Sequence, residues 1–479
     1  MKKALSLLLA GTFALALSGC VKIDDTPEEV DCDLYPTHVD CLQDVDPDNP
    51  DAPGLINVLG ELPTEDITIT FWHVYGDSKG ALLQNYIDEF EELYPNIHVD
   101  AESQGGYDDL RNKTILAISA GETPTMLVGY PDHVAGYLNG NAVIPLDDFI
   151  KDDTWGIDLD DFVDSYVAEN KQYAGGLMYS LPYSKSTEML VINKSIFEAN
   201  ETALEAAGVG LRTDAPYTWA ELDKMADILV GDGENQCEYL INFDSSANFF
   251  INSVRQWDGG YTNSAGDILV DNENTIAMLN YVKARFEDHT FAIPLAWNAA
   301  YGSTNFKAQD VCMTVGSTAG ISYNVPTDGS FEIAVAPIPQ YDLDHKSATQ
   351  QGPNIAIMSN TTDAERLAAW LLIKYITNAE NTAKWSMLTG YLPVRYSGYN
   401  STEYQAFLTN PDPDYIYESM TANAAFSQLD YNQYDPAFAG TTTSSGARLQ
   451  AGIVMEAIFS GTVTVQEAID DMLYQLGAD

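Results

Sequence analysis

Short β-rich segments alternate with amphipathic helical segments along most of the chain, and no other feature limits its possible folds as strongly. Residues 67–75 read ITITFWHVY, in which β-branched and aromatic residues nearly alternate with polar ones. The next segment, GALLQNYIDEFEELYP, repeats large apolar residues at helical spacing from Leu82 to Leu93 and stops at Pro95. Strands separated by helices of this length predict a parallel sheet covered by helices on both faces, so the expected fold class is α/β.

The chain is long enough for more than one hydrophobic core. About 415 of its 479 residues follow an acidic N-terminal region, and a single core rarely serves more than about 250 to 300 residues. Two α/β lobes are therefore expected.

The first 20 residues, MKKALSLLLAGTFALALSGC, predict an export signal. Lys2 and Lys3 precede an apolar stretch from Ala4 to Leu17 that is too short for a membrane span. The end, LSGC, resembles a bacterial lipobox, in which cleavage before the cysteine would leave Cys20 as a lipidated first residue. An ordinary secretory signal with a chance cysteine is the alternative.

Residues 21–63 predict a disordered acidic tether. They hold twelve acidic residues, six prolines and one basic residue, Lys22, so apolar burial cannot offset the entropy of ordering. The segment DVDPDNPDAP spaces its aspartates like a calcium loop but lacks the turn glycine, and no metal site is expected there.

Four cysteines remain after Cys20, in a compartment where disulfides form. Cys32 and Cys41 are candidates for one small loop, and Cys237 and Cys312 are the other possible pair. The sequence leaves the connectivity open.

The formal net charge is −49, from 22 basic and 71 acidic residues. Such a chain repels nucleic acid and anionic lipid surfaces. Neither is expected as a partner.

Eight ordered motifs resemble one protein family over roughly residues 66 to 475. They read ITFWHVYG, FEELYPNIHV, GGYDDL, AGETPTMLVGYPDHV, LPYSKSTEMLVINKSIF, YTWAELDKMADIL, CMTVGSTAG and TGYLPVR. In this order and spacing they resemble the extracellular solute-binding proteins of ABC importers, of the maltose-binding type, and among these most closely the members that bind glycerol-3-phosphate.

The resemblance implies a two-lobed periplasmic-binding-protein-like fold of type II, with hinged lobes and a ligand cleft between them. Residues 64–189 plus 354–392 would form lobe 1, and residues 190–353 plus 393–479 would form lobe 2. The segment LPYSKSTEMLVIN would be the first crossing between the lobes and QQGPNIAIM a return crossing. The polar residues before the apolar run would then face the cleft, where a hydrophilic ligand supplies their partners.

The resemblance also implies ligand contacts. Tyr107, in GGYDDL, matches the tyrosine that contacts the glycerol part of the ligand. An arginine fork and hydroxyls donate hydrogen bonds to an oxyanion, and a glycine lets a backbone N–H approach it closely. The positions that match the phosphate-gripping residues of the family are Ser186, Ser317, Gly352, Tyr391 and Arg448.

Two positions depart from the family pattern at the far end of the pocket. The glutamate expected after GY is Pro131 here, with Asp132 next to it as a substitute. The paired tryptophans expected further along are absent, and Phe243, Phe249 or Phe250 stands in their place.

Several of these residues have a simpler structural interpretation. Trp72 follows a strand at the expected cleft mouth, where aromatic faces stack on sugars, and core packing is its alternative. For Arg448 the alternative is an ion pair with a surface carboxylate. Ser186 also occurs in relatives that bind neutral sugars, so it does not by itself indicate phosphate.

Together these features predict the lipid-anchored binding component of an ABC importer, on the outer face of the cell membrane or in the periplasm. The expected ligand is a carbohydrate-class solute, with glycerol-3-phosphate or a glycerophosphodiester as the sharper hypothesis and a neutral mono- or oligosaccharide as the alternative. The expected partners are the solute, the permease subunits and the membrane, the latter through Cys20. A monomer without cofactor or metal is expected.

Two other classes of function have less support in the sequence. The motif GSTAG places its serine outside the central position of a nucleophile turn, and the six histidines form no metalloprotease motif. An enzyme, such as a secreted hydrolase, is therefore not expected. A sensory or adhesive lipoprotein that reuses the fold remains a further alternative.

Overall fold

The structure is a computed structural model that describes residue 62, residues 64–439 and residues 443–478. These residues belong to one compact unit. The predicted export signal with Cys20, and the predicted tether with Cys32 and Cys41, lie outside the described residues.

Twelve strands lie in the described part of the chain. In chain order they are β1 (Ile67–His73), β2 (Ile97–Ser103), β3 (Met126–Gly129), β4 (Leu181–Pro182), β5 (Glu188–Asn193), β6 (Tyr239–Phe243), β7 (Phe291–Ala292), β8 (Val311–Ser317), β9 (Ile333–Ala336), β10 (Ala348–Thr349), β11 (Asn354–Ile357) and β12 (Asn432–Gln433).

The strands form two five-stranded sheets and one two-stranded ribbon of β10 with β12. The first sheet has the order β2-β1-β3-β11-β4, and the second has the order β7-β6-β8-β5-β9. In the first sheet β1 pairs in parallel with β2 and β3, whereas β11 is antiparallel to β3 and β4. In the second sheet β6 is parallel to β7 and β8, whereas β5 is antiparallel to β8 and β9.

The expectation of purely parallel sheets is therefore wrong, although the α/β class is confirmed. The antiparallel strands β5 and β11 are the ones that the chain enters by crossing from the other sheet. They do not follow a helix packed on their own sheet, so the right-handed crossover that makes neighbours parallel does not apply to them.

The helices cover both faces of the sheets. They are α1 (Asp77–Leu93), α2 (Tyr107–Ala120), α3 (Pro131–Leu138), α4 (Asp147–Lys151), α5 (Asp164–Asn170), α6 (Lys194–Ala199), α7 (Glu201–Ala206), α8 (Trp219–Leu229), α9 (Ser246–Gln256), α10 (Glu273–Glu287), α11 (Gly302–Ala308), α12 (Ile321–Asn324), α13 (Asp363–Ile376), α14 (Ala379–Thr389), α15 (Tyr396–Tyr399), α16 (Thr402–Thr409), α17 (Ile416–Phe426), α18 (Ser444–Ser460) and α19 (Val465–Leu476).

Helical periodicity identified the packing faces of the long helices. On α1 the apolar stripe from Leu82 to Phe90 is buried in the core of the first sheet. Leu93, which the same spacing placed on this face, is exposed because the helix ends there. Thr218, Thr362 and Thr464 start α8, α13 and α19 with reciprocal capping boxes, which hold the helix ends in place.

The segment LPYSKSTEMLVIN carries the chain from β4 in the first sheet to β5 in the second. Its polar residues are buried, and protein groups satisfy most of them. Ser184 Oγ lies 2.7 Å from the Tyr75 hydroxyl, and Lys185 Nζ lies 2.5 Å from Glu169 Oε2. Thr187 Oγ1 donates to the Thr349 carbonyl over 3.0 Å. The expectation that a ligand supplies the partners of these three side chains is therefore wrong.

Gly352 sits against this crossing with φ of +99°, in the left-handed region that favours glycine. A Cβ atom there would lie 2.0 Å from the Ser184 carbonyl oxygen. The return segment can approach the first crossing this closely only because it has a glycine here.

Cys237 and Cys312 form a disulfide that ties the segment before β6 to β8, within the second sheet's core. Among residues 64–439 and 443–478, no helix combines the length and the apolar character that a membrane span requires.

Candidate functional site

A cavity of about 1050 Å³ lies where the carboxyl ends of strands from both sheets meet. Its lining includes the starts of α2 and α3, which follow β2 and β3 of the first sheet. It also includes the start of α9 and residues 294–301, which follow β6 and β7 of the second sheet. The carboxyl edge of an open α/β sheet is where such folds bind ligands.

Four helices begin at this cavity. Tyr107, Pro131, Ser246 and Ser444 are the first residues of α2, α3, α9 and α18, and the lining includes each start. Ser245 and Thr443 cap α9 and α18 by accepting from backbone N–H groups. Serine and threonine favour this position, which explains why these helices start where they do.

The wall from the first sheet is rich in tyrosine. The rings of Tyr107 and Tyr130 meet edge to face with centres 4.6 Å apart, and the hydroxyls of Tyr107 and Tyr391 are 3.2 Å apart. Burial raises the pKa of Tyr107 and Tyr130 well above the usual range, and raises the pKa of Tyr391 to about 12. These hydroxyls therefore stay protonated and can donate and accept hydrogen bonds.

Asp132 connects this wall to α18. Ser445 Oγ donates to Asp132 Oδ2 over 2.5 Å. Burial works to raise the pKa of Asp132, but His133, Ser445 and Arg448 outweigh it and leave the pKa below its usual value. The carboxylate is therefore ionised and can accept further hydrogen bonds.

Arg448 reaches the cavity from α18 but already has protein partners. Its guanidinium donates to Asp435 Oδ2 over 3.3 Å and to the Asn248 side-chain oxygen. Asp435 also accepts from Arg255 over 2.8 Å. The positive charge of Arg448 is therefore partly balanced before any ligand arrives.

Two buried lining atoms have no hydrogen-bond partner among the residues that the structure describes. They are Oε1 of Gln350 and Nδ1 of His133. Burial also lowers the pKa of His133, while the neighbouring Asp132 carboxylate works to raise it. Both atoms have almost no accessible surface, so a molecule in the cavity would reach them only if the lining moved.

The described lining is strongly acidic. Seven of its residues carry carboxylates (Asp108, Asp109, Asp132, Glu169, Asp244, Asp435 and Glu456), and two carry guanidinium groups (Arg111 and Arg448). This ratio resembles that of the whole chain, with 71 acidic and 22 basic residues. The excess of acidic residues is thus a general property of the protein. A ligand in the cavity nevertheless lies close to these carboxylates.

Some of the residues predicted from the sequence line the cavity, and others lie at the crossing between the sheets or in the cores. Tyr107, Asp132 and Arg448 line the cavity, and Tyr391 contacts the Tyr107 hydroxyl. Ser186, Ser317 and Gly352 lie at the crossing, outside the lining as far as the described residues define it.

The two predicted aromatic platforms lie elsewhere. Phe243 stacks on Phe249 with ring centres 3.6 Å apart, inside the second sheet's core. Trp72 is partly buried against the first sheet's core and a smaller cluster beside it. Both thus take part in packing, which the sequence had left open for Trp72.

Several lining residues escaped the sequence analysis. Tyr130 directly precedes Pro131, and Gln350 and Gln351 directly precede Gly352, so neighbouring motifs held the signal for them. Tyr301 and Asp435 had no such signal. Nothing in the sequence separates Asp435 from the other carboxylates, because its role depends on Arg255 and Arg448 being brought to it by α9 and α18.

Lys79, on α1, is a further residue that the sequence analysis missed. Its Nζ donates to the Ala319 carbonyl, after β8 of the second sheet, over 2.9 Å. It also lies 5.8 Å from the ring centre of Tyr391, and burial lowers its pKa. Lys79 therefore joins the two sheets at the end of the Tyr391–Tyr107 pair.

Comparison with known proteins gives consistent matches over most of the chain. Residues 85–411 match the bacterial extracellular solute-binding protein family. The sn-glycerol-3-phosphate-binding periplasmic protein UgpB of Escherichia coli K12 is 22% identical over 420 residues, which are 84% of this chain and 90% of that protein. UgpB of Salmonella typhimurium is equally similar.

Two solved structures share the fold. UgpB from Mycobacterium tuberculosis in complex with glycerophosphocholine has a TM-score of 0.68 at 22% identity, covering 86% of this chain and 97% of that one. The ABC substrate-binding protein Lmo0181 from Listeria monocytogenes in complex with cycloalternan has a TM-score of 0.69 at 17% identity, covering 87% and 100%.

Proposed function

The chain belongs to the bacterial extracellular solute-binding protein family and has its two-lobed type II α/β fold, and from this we propose that it is the lipid-anchored solute-binding component of an ABC importer for a carbohydrate-class solute. The predicted lobe boundaries are part of this proposal. The observation that carries it is the cavity, whose lining comes from both sheets and includes tyrosines and carboxylates.

A neutral sugar or oligosaccharide is the first candidate ligand. Sugar hydroxyls donate to carboxylates such as Asp132, and tyrosine rings cover the apolar faces of sugars. The charge of the lining supports this choice. A dianionic phosphate would meet seven carboxylates and an Arg448 that Asp435 already contacts, whereas a neutral ligand avoids this repulsion.

A glycerophosphodiester is the second candidate, because the guanidinium group of Arg448 can donate hydrogen bonds to its phosphate. Among the described lining residues, Arg448 and Arg111 carry the two guanidinium groups. A diester with a cationic head group, such as glycerophosphocholine, has no net charge. Its phosphate can accept from Arg448 while its cation lies near the carboxylates and tyrosines. Free glycerol-3-phosphate, the sharper hypothesis from the sequence, lacks this compensation.

A thermal-shift panel tests the proposal. It contains maltose, maltotriose, trehalose, glycerol-3-phosphate and glycerophosphocholine, because a ligand of the native state alone raises the melting temperature. We expect at least one neutral sugar or the diester to do so. No shift with any of these compounds, followed by no heat of binding in calorimetry, would contradict the carbohydrate class.

Arg448→Ala separates the two candidates. We expect it to weaken glycerophosphocholine binding by about 2 kcal/mol, because a charge-assisted pair is lost, and to change neutral sugar binding much less. Arg285→Ala is the matched control, since Arg285 also bonds a carboxylate, Asp223, but lies on α10 outside the lining. Equal losses for sugar and diester would argue against a phosphate contact.

The lipid anchor is tested separately. With Cys20 intact, the mature protein is expected to partition into detergent and to yield a lipidated N-terminal peptide in mass spectrometry. Cys20→Ala is expected to abolish both. A wild-type protein that stays in the aqueous phase would leave an ordinary export signal as the explanation.

A further inference from the structure

Part of the cavity lining is apolar and well exposed. Four lining residues are large, apolar or aromatic, and 42% to 65% exposed: Leu295, Tyr301, Leu449 and Ile453. Ala299, Ala300 and Gly452 lie among them in the lining. These four residues are called the outer apolar subsite below.

The fold explains why two of these residues cannot be core residues. Leu449 and Ile453 are four positions apart on α18 and so lie on one side of the helix. The side of α18 that faces the second sheet's core carries Ala447, Ala451, Val454 and Met455, all buried. Leu449 and Ile453 point to the cavity, and their exposure is a property of the cavity wall.

Contact with the rest of the cavity wall does not account for the subsite. The residues that α2 contributes to the lining are mostly polar or charged, among them Asp108, Asp109, Arg111 and Asn112. Leucine and isoleucine side chains gain little from such neighbours, whereas burial against an apolar group removes their surface from water. An apolar group on the cavity's occupant would supply such a surface.

The shape and chemistry of the side chains indicate what kind of surface this is. Plain sugars bind on flat aromatic faces and carry hydroxyls around their edges that need partners. Leu295, Leu449 and Ile453 are branched aliphatic side chains with no hydrogen-bonding group. They suit an alkyl or aryl group better than a second sugar ring.

We propose that the cavity takes an amphipathic solute, with a polar polyol head among Tyr107, Asp132 and Gln350 and an apolar alkyl or aryl group in the outer apolar subsite. This inference rests on the proposed function for the head group alone. The cavity volume of about 1050 Å³ accommodates both parts, because typical small-molecule pockets span about 300 to 1000 Å³.

The first test needs no knowledge of the head group. In saturation-transfer NMR with n-octyl β-D-glucoside below its micelle concentration, we expect the octyl protons to receive saturation from the wild-type protein. Leu449→Ser combined with Ile453→Ser is expected to remove this transfer. The matched control is Leu211→Ser with Leu343→Ser, two exposed leucines outside the lining, and it is expected to retain the transfer.

The second test compares maltose with 4-nitrophenyl α-D-maltoside, and cellobiose with its 4-nitrophenyl β-glycoside, by calorimetry. For a sugar that binds, the aryl glycoside is expected to bind at least about five-fold tighter, since each buried methylene-sized group contributes about four-fold. The Leu449→Ser, Ile453→Ser variant is expected to lose this advantage and to bind the plain disaccharide like the wild type.

The outcomes separate the two proposals. Octyl transfer that is absent from the wild type, or unchanged in the double variant, overturns the outer apolar subsite even if sugars bind. In a further outcome, the thermal-shift panel shows no binding of any sugar or diester while octyl transfer still depends on Leu449 and Ile453. That result supports the subsite and contradicts the carbohydrate head group.

Discussion

At the scale of single residues, Glu188 has a consequence for stability. It is 3% exposed, and its carboxylate accepts from the side-chain amides of Asn248 and Asn252 over 2.9 and 2.8 Å. Burial raises its pKa from 4.5 to about 7. The folded state thus holds this proton more tightly than the unfolded chain does, and stability falls as pH rises between about 4.5 and 7.

Glu188→Gln removes this penalty. We expect the stability of the variant relative to the wild type to rise by up to roughly 3 kcal/mol from pH 5 to pH 8. One hydrogen bond from Asn248 or Asn252 is lost at both pH values, because the amide nitrogen of glutamine cannot accept. The measurement is urea unfolding at both pH values. Glu205→Gln, at an exposed position, is the control. A difference for Glu188→Gln that does not grow with pH would show that the site does not titrate as described.

Asp435 controls how much charge Arg448 offers to a ligand. Asp435→Asn leaves both Arg448 and Arg255 without their carboxylate partner. We expect glycerol-3-phosphate to bind the variant about five- to ten-fold tighter than the wild type, a gain of roughly 1 kcal/mol or more, as calorimetry would detect. Neutral sugars are expected to gain nothing. Unchanged glycerol-3-phosphate binding would place the anion away from Arg448.

At the scale of elements, the two crossing segments depend on Gly352. Gly352→Ala would put a Cβ 2.0 Å from the Ser184 carbonyl in a backbone conformation with φ of +99°. We expect a loss of about 3 kcal/mol or more in unfolding free energy, from strain and from the displaced crossing. Gly320→Ala is the control, because nothing lies within 4 Å of its Cβ position. Similar stability of the two variants would mean that the return segment moves freely.

The sequence predicted helices far better than sheet pairing. The apolar stripe of α1 is a local pattern, and its residues from Leu82 to Phe90 lie where the spacing predicted. The direction of β11 depends on its neighbours β3 and β4, which precede it by more than 170 residues. No local pattern records such a pairing, and this is why parallel sheets were expected in place of mixed ones.

The candidate site was predictable to the extent that its residues sit beside recognisable motifs. Tyr107 is the first residue of α2 and Asp132 the second of α3, and both helices follow strands, where an α/β sheet exposes its ligand-binding edge. Ser184 and Lys185 were expected to need a ligand, but Tyr75 and Glu169 satisfy them. Those partners come from distant segments of the chain. Only the folded structure therefore shows that protein groups satisfy the hydrogen bonds of Ser184 and Lys185.

At the scale of the whole molecule, the net charge of −49 opposes folding through repulsion among carboxylates. We expect the melting temperature to rise as sodium chloride increases from about 0.05 to 1 M, where the Debye length falls to about 3 Å. The rise should level off near 1 M if screening is the cause. A melting temperature that is unchanged or falls over this range would show that repulsion is already relieved by other means.

The starts of α2, α3, α9 and α18 give the cavity a second source of charge. Each helix amino terminus adds a partial positive charge, at most about half an elementary charge, which acts within the first turn and which caps such as Ser245 and Thr443 partly satisfy. The backbone thereby offsets part of the acidic lining, and no residue substitution that preserves the fold can remove this contribution. Exchanging lining carboxylates for amides would therefore shift the balance of charge around the cavity toward anions.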